Sequence, residues 1–518
     1  MNIHNKKGRK FLIVVILVLL FSLALRMDFS NTYPKGADTY ELYSLSKNIQ
    51  QKEYVVWNID FLTAIGMTSV SYPPGGIIFL SEISTVSGLD IKNSIFIWNF
   101  FLIITCSLLI FMISRTIFKN DYISIIAVLI YLNTRFFISY STYFTTRNII
   151  HVFFLSILLI LLKENINIKK LTTLLILIIA SLLTHRSAIL IIIFLLSYIF
   201  SIIIYKYYKN TTINKILIIL LGASMFLISI YFFGHTSIGT ETSKIPFEVG
   251  ISYIDDIFSI IFSLGMHFGL LLIFTIPGYI VLINKKEKKR KDFFILTIIT
   301  LSAAFLIETI YFFYLFMPIL VILTSYFLEY ITSKKIKYLN RIIIFLIISA
   351  LMVPLYITIT ESKSDLTYVR AQTLKTISYL ENENVEKSVV CNNHAIYCSH
   401  IYALSDNITA LTYTSVRTMM DRITVKKTSL IWWRVRSKII VEDNILGTSL
   451  FADSYASAIT KWNLPKPTLD KLLEFTNLGY IIDSTNSDSI RNRPRMQEKF
   501  PYTDQVYNNG LQQVQVIV

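Results

Sequence analysis

The chain has 518 residues, of which 54% are hydrophobic and only 16% charged, with a formal net charge of +16. A mean hydropathy of +0.57 excludes an ordinary soluble protein of this size. The positive balance does not indicate nucleic acid as a partner. Much of the Lys and Arg falls in short runs between apolar segments, where cytoplasmic loops of membrane proteins carry it. Anionic membrane lipids are the expected neighbours.

In chain order, Lys6, Lys7, Arg9 and Lys10 precede a first apolar run that lacks a small-residue cleavage site and continues to Arg26 and Asp28. It reads as a retained signal-anchor. Further basic clusters follow at Arg115 and Lys119, Lys163 to Lys170, Lys206 to Lys215, Lys285 to Lys291 and Lys334 to Arg341. Placing all of them in the cytoplasm requires an even number of spans between successive clusters. The expected spans are Phe11–Met27, Ser94–Ser114, Tyr122–Tyr140, Arg147–Leu162, Leu171–Thr184, Ser187–Tyr205, Lys215–Phe233, Ile257–Ile283, Phe293–Ile310, Phe312–Tyr330 and Ile342–Ile359. The fold class is therefore an α-helical polytopic membrane protein of about 11 transmembrane helices. Residues 1–360 form the membrane domain, with a first external loop at 28–93, and residues 361–518 form an external α/β or α+β domain. The N-terminus is cytoplasmic, in a cell membrane. Gly75–Ser87 contains Glu82 and several Ser and fits a helix lying in the interface.

This topology sorts the polar residues. Asp38, Glu41 and Tyr72 fall in the first external loop, and Arg135, Arg147, His151, His185, Arg186, His235 and Glu308 lie at or near external helix ends. Ionisable groups at membrane depth are costly and mark pathways or sites. Their convergence on one face is the argument, since any single one also suits a headgroup anchor. Glu308 is followed by a run of aromatics that includes Tyr311.

The first loop reads Gly36-Ala37-Asp38-Thr39-Tyr40-Glu41, and later Ser71-Tyr72-Pro73-Pro74-Gly75. An acid soon after the first span, then Tyr-Pro-Pro opening an interfacial helix, resembles the GT-C class of membrane glycosyltransferases, which includes protein mannosyltransferases, aminoarabinose transferases and oligosaccharyltransferases. The resemblance implies a polyprenyl-phosphate sugar donor, an external glycan, lipid or protein acceptor, and Asp38 as the catalytic or metal-binding acid. A divalent cation is the cofactor such a site can use. The chemistry agrees: an acceptor hydroxyl needs a general base, and the leaving lipid phosphate needs cations, which Arg147 and Arg186 supply. His185 joins them as a phosphate or sugar contact, with Glu41, Tyr72, Arg135, His151, Glu308 and Tyr311 as further substrate contacts.

The sequence departs from that class in two places. The second external loop, Tyr143 to Asn148, holds no acid, and Trp432-Trp433-Arg434 has the two aromatics of the oligosaccharyltransferase Trp-Trp-Asp motif without its acid. We read the tryptophans as packing residues. The loop from Gly234 to Asp256 suits either an acceptor gate or a solvated connector. In the C-terminal part, Ser388–Asn393, Tyr480–Asp483 and Gln513–Val518 read as strands and Pro467–Phe475 as helix. A Cys391–Cys398 disulfide is possible there. The competing functions are a lipid-linked glycan polymerase, a ligase or a flippase. Transporters favour paired repeats and midplane polar groups, and this chain shows neither.

Overall fold

The computed structural model describes residues 33–53, 75–163, 167–207, 271–302, 309–334, 371–383, 388–391, 403–405, 410–412, 421–431, 434–444, 478–484, 503–508 and 512–517, with single positions such as 369, 400, 401 and 408. The expected spans Phe11–Met27, Lys215–Phe233 and Ile342–Ile359 lie essentially outside these residues, as do the Gly234–Asp256 loop, Trp432-Trp433, Cys398 and Pro467–Phe475.

Helix α1 (Ala37–Lys52) and helix α2 (Gly75–Ser87) come from the first loop. Helix α3 (Ile91–Phe118) is 28 residues long, roughly 42 Å at 1.5 Å per residue, and can cross a bilayer. Asp90 caps its start by accepting from the Asn93 N–H at 2.7 Å. Arg115 occupies its last turn, so both ends match the helix dipole.

The expected span Tyr122–Tyr140 is broken. Helix α4 (Asp121–Leu132) and helix α5 (Arg135–Ser141) meet at a 65° bend. The Asn133 amide donates to the Leu129 carbonyl at 2.9 Å, and the Thr134 hydroxyl accepts from the Phe137 N–H at 3.2 Å. Two adjacent side chains thus satisfy the backbone groups that one helix leaves and the next exposes. A hydropathy profile sees only the apolar residues on either side.

Helix α6 (Thr146–Leu162) and helix α7 (Ile168–Thr184) follow, then a 3-10 turn (Arg186–Leu190) leading into helix α8 (Ile191–Tyr207). Helices α9 (Leu272–Asn284), α10 (Arg290–Ser302) and α11 (Thr309–Ser333) complete the described bundle. Among the described residues two helices are long and apolar enough to cross a membrane, or three if α4 and α5 form one span. The bundle is apolar outside as well as inside. Leu171, Leu175, Ile179 and Leu182 make an exposed stripe on α7, and Ile273, Ile276 and Ile280 another on α9. The inner faces use small polar residues such as Ser94, Ser107 and Ser114. At Gly278 a Cβ would run into the Leu323 carbonyl, so glycine there lets α9 and α11 meet backbone to backbone. This is a helical membrane protein.

At the end of the bundle where α3 and α6 finish, the basic run Lys285–Lys291 is tied into the structure. Buried Asp292 accepts from Lys285 Nζ at 2.9 Å, from the Tyr326 hydroxyl at 2.6 Å and from the Lys289 N–H at 2.7 Å. Lys291 donates to the carbonyls of Thr116 and Ile117, and Arg290 to that of Lys163 at 2.7 Å. These cations close the C-terminal ends of α3 and α6, whose last carbonyls have no partner within the helix.

Beyond helix α12 (Ala371–Asn382) lies a mixed sheet in the order β2 (Ala410–Thr412), β1 (Ser388–Cys391), β5 (Leu478–Ser484), β7 (Gln512–Ile517), β6 (Thr503–Asn508). The first three strands are parallel and the last two antiparallel to their neighbours. The expected strands correspond to β1, β5 and β7. A long hairpin of β3 (Asp421–Ile431) and β4 (Arg434–Asn444) was not anticipated. Ile377, Leu380, Ile401, Ile408, Ile482 and Val514 form this part's own core.

Candidate active site

Five helix starts, one of them a 3-10 turn, meet at the opposite end of the bundle. The chain enters α1 through Lys35, which bridges to Tyr143 in parallel pairing. Gly36 then takes a left-handed φ of 98°, and a Cβ at this position would come within 2.9 Å of the Tyr143 Cβ. Both facts demand glycine. One turn on, the Thr39 hydroxyl donates to the Lys35 carbonyl at 2.6 Å and accepts from the Phe144 N–H at 3.1 Å. The turn that carries Asp38 is therefore fixed against the strand-like stretch leading into α6. Glu41 lies on the second turn of the same helix.

That stretch is held by Asn148, whose amide donates to the Tyr140 and Tyr143 carbonyls at 2.7 Å each and whose oxygen accepts from the Thr145 hydroxyl at 3.1 Å. Arg147, half-buried, sits in the first turn of α6 directly beside it. His151 lies one turn deeper and is buried. Its Nε2 is hydrogen-bonded to the Tyr131 hydroxyl, and its ring stacks parallel to Tyr131 with Phe136 at its edge. Arg135 begins α5, and the rings of Phe136, Tyr140 and Tyr143 carry contact from that helix to Gly36.

The first residues of α2 close the third side. A Cβ at Gly75 would come within 2.6 Å of the Leu183 carbonyl, and one at Gly76 within 2.9 Å of the Thr146 Cβ. The paired glycines after Tyr72-Pro73-Pro74 thus let the start of α2 lie directly on the start of α6 and the end of α7. Immediately past that contact His185 is buried, with Nδ1 accepting the Ser187 N–H at 3.0 Å. That bond leaves the neutral ring's proton on Nε2, where it can be donated to an oxygen. Arg186 opens the 3-10 turn.

The structure thus brings together the segments carrying Asp38, Arg147, His185 and Arg186. Tyr72 and Glu308 lie outside the described residues, and Tyr311 is on the first turn of α11. Sequence reasoning missed Gly36, Thr39, Gly75, Gly76 and Asn148, the residues that do the assembling. The signal for three of them was glycine at the start of a helix, which marks close backbone approach.

The electrostatics of these starts are unusual. Neither α5, α6, α2 nor the 3-10 turn has an acid in its first turn, whereas Arg135, Arg147 and Arg186 are first-turn residues. Among the described residues no group of three His, Cys, Asp or Glu is placed to hold a metal ion.

Comparison with solved structures places the fold. The archaeal oligosaccharyltransferase AglB from Archaeoglobus fulgidus, in complex with an inhibitory peptide and a dolichol-phosphate, aligns with a TM-score of 0.60 and 12% identity over 92% of this chain and 70% of that one. The apo form of the Archaeoglobus fulgidus enzyme aligns at 0.58 and 13% identity, over 92% and 69%. The chain has the fold of the GT-C membrane glycosyltransferases. ArnT from Cupriavidus metallidurans, bound to undecaprenyl phosphate, aligns over 98% and 97% of the two chains at 0.49 and 10% identity. No family model matches the sequence, and no curated protein matches it. The likeness lies in the fold.

Proposed function

We propose that the chain is a membrane glycosyltransferase that moves a sugar from a polyprenyl-phosphate donor to an acceptor hydroxyl on the outer face of the membrane. One observation carries this reading: three arginines stand in the first turns of α5, α6 and the 3-10 turn, which meet at one end of the bundle and have no first-turn acid of their own, Asp38 on the neighbouring α1 being the acid at this end. Each helix start is the positive end of its dipole, so a cation there is disfavoured by roughly 0.3–1 kcal/mol. An anion seated among them reverses the sign, because it is attracted by the arginines, the dipoles and the exposed N–H groups together. A lipid phosphate at headgroup depth is such an anion, and the similar AglB structure is described with dolichol-phosphate.

In this reading Arg147 and Arg186 grip the phosphate and His185 Nε2–H donates to a phosphate or sugar oxygen. Asp38 takes the proton of the acceptor hydroxyl as that oxygen attacks the anomeric carbon and the lipid phosphate departs, or it ligates a divalent cation. Glu41, Tyr72, Arg135, His151, Glu308 and Tyr311 line the donor or acceptor path. The basic end of the bundle faces the cytoplasm and the sheet of residues 361–518 faces outward. The acceptor is a glycan, a lipid or a protein.

The test is sugar transfer from a labelled polyprenyl-phosphate sugar in membranes carrying wild-type or Asp38→Asn protein. A loss of about 100-fold or more is expected when a general base is removed. Undiminished transfer by a stably inserted Asp38→Asn protein would take Asp38 out of the mechanism.

A further inference from the structure

Residues 400, 401, 403 and 404, all helical, belong to two cores. Ile401 packs into the small core beneath the sheet, with Ile377, Leu380 and Ile482. Ala403 packs into the core of the helical bundle, and Leu404 touches both. His400 is only 1% exposed and sets its ring edge-on to Tyr40, with centroids 4.3 Å apart at 77°. Lys47 donates to the Ser405 carbonyl. Tyr40 and Lys47 are two turns apart on one face of α1, so the C-terminal part grips that helix at two points.

Tyr40 is two residues beyond Asp38 and fully buried, with its hydroxyl donating to the Pro34 carbonyl at 2.8 Å. The start of α1 has no side-chain cap. Its first turn is held by the local bonds of Thr39 to Lys35 and Tyr40 to Pro34 and by the long-range contacts of Thr39 with Phe144 and Tyr40 with His400. Burial pushes the His400 pKa down to about 3, so the ring in this contact is neutral and acts by shape.

We propose that the C-terminal part is a clamp on α1, and that His400 is a positioning residue that sets the first turn of α1, and with it Asp38, through Tyr40. The proposal rests on the reading of Asp38 given above. Removing the imidazole leaves Lys47, two turns on, as the remaining grip of the C-terminal part and releases the first turn of α1 from it. The donor is gripped by residues of α6 and the 3-10 turn, so its binding is unaffected and only the alignment of Asp38 suffers.

Full-length wild-type, His400→Ala, His400→Phe and Lys47→Ala proteins in proteoliposomes test this by two readouts, hydrogen exchange and transfer kinetics. In His400→Ala, exchange at residues 37–44 should quicken about tenfold while β5 and β7 keep their protection. The kcat should fall about tenfold with donor KM within about twofold of wild type. Phe keeps a neutral ring against Tyr40 and should restore both readouts, and Lys47→Ala should show a weaker form of the Ala effect. Unchanged exchange at 37–44, or exchange that rises equally in β5 and β7, overturns the clamp. If Asp38→Asn abolishes transfer while His400→Ala is indistinguishable from wild type, the clamp fails and the Asp38 reading stands. If exchange responds as stated but transfer is indifferent to both substitutions, the clamp on α1 stands and the Asp38 reading fails.

Discussion

The two ends of the helical bundle use the same basic side chains in opposite ways. At one end Arg115 sits in the last turn of α3, Lys291 closes the α3 carbonyls and Arg290 those at the end of α6. Of the helices that start there, α4 carries Asp121 and α10 carries Asp292 in the first turn, while α7 carries Lys169 and Lys170 and no first-turn acid. Cations complement the dipoles at the ends of α3 and α6, and the two that open α10, Arg290 and Lys291, are themselves bound to protein carbonyls. At the other end Arg135, Arg147 and Arg186 open helices without first-turn acids. A charge placed with the dipole stabilises the fold, whereas one placed against it is disfavoured by the dipole.

The largest effect expected from this contrast is at the first of these ends. Asp292→Ala leaves Lys285, the Lys289 N–H and the Tyr326 hydroxyl without their shared acceptor. The cost is about 3 kcal/mol, read as a lower melting temperature in detergent, with transfer per folded molecule unchanged. At the other end the pattern inverts. Arg147→Gln should weaken donor binding by about 2 kcal/mol, some thirtyfold in KM, with no loss of thermal stability, and Arg147→Lys should recover part of it. A stability loss in Arg147→Gln matching that of Asp292→Ala would erase the distinction.

Acid should loosen the clamp on α1. Buried His400 has its pKa pushed down to about 3, against about 6.5 in a solvated ring. Between those values the released state takes up a proton that the docked state refuses. Docking is therefore at full strength above pH about 6.5 and weakens as pH falls, by about 1.4 kcal/mol per unit. Exchange at α1, corrected for its intrinsic rate, should rise about fivefold between pH 6.5 and 5.5 in wild type and stay flat in His400→Phe. The smallest effect belongs to the pair Arg115–Asp121, 2.9 Å apart with both side chains near half exposure. Arg115→Gln should cost at most about 0.5 kcal/mol of thermal stability.

Much of this contrast could be read before the structure. Arg115 and the run Lys285–Lys291 gather at one end of the bundle, and the segments carrying Asp38, Arg147, His185 and Arg186 come together at the other, as the placement of polar residues beside apolar runs leads one to expect. Apolar composition foretold α3, α6 and α8 nearly to their ends. It missed the break at Asn133-Thr134, where side chains substitute for backbone partners without changing mean hydropathy. It also missed what assembles the site. Thr39, Asn148 and Gly76 act through contacts with residues distant in sequence, and nothing in their local pattern names those partners. The hairpin β3–β4 escaped notice because its charged residues interrupt the apolar alternation.

The central claim is that the end of the bundle where Arg135, Arg147 and Arg186 open helices holds a lipid phosphate. Binding of a labelled polyprenyl phosphate to purified wild-type, Asp38→Asn and Arg147→Gln/Arg186→Gln proteins tests it directly. Asp38→Asn should bind like wild type while failing to transfer, and the double arginine variant should bind at least tenfold more weakly at unchanged melting temperature. Equal binding by all three would contradict the account.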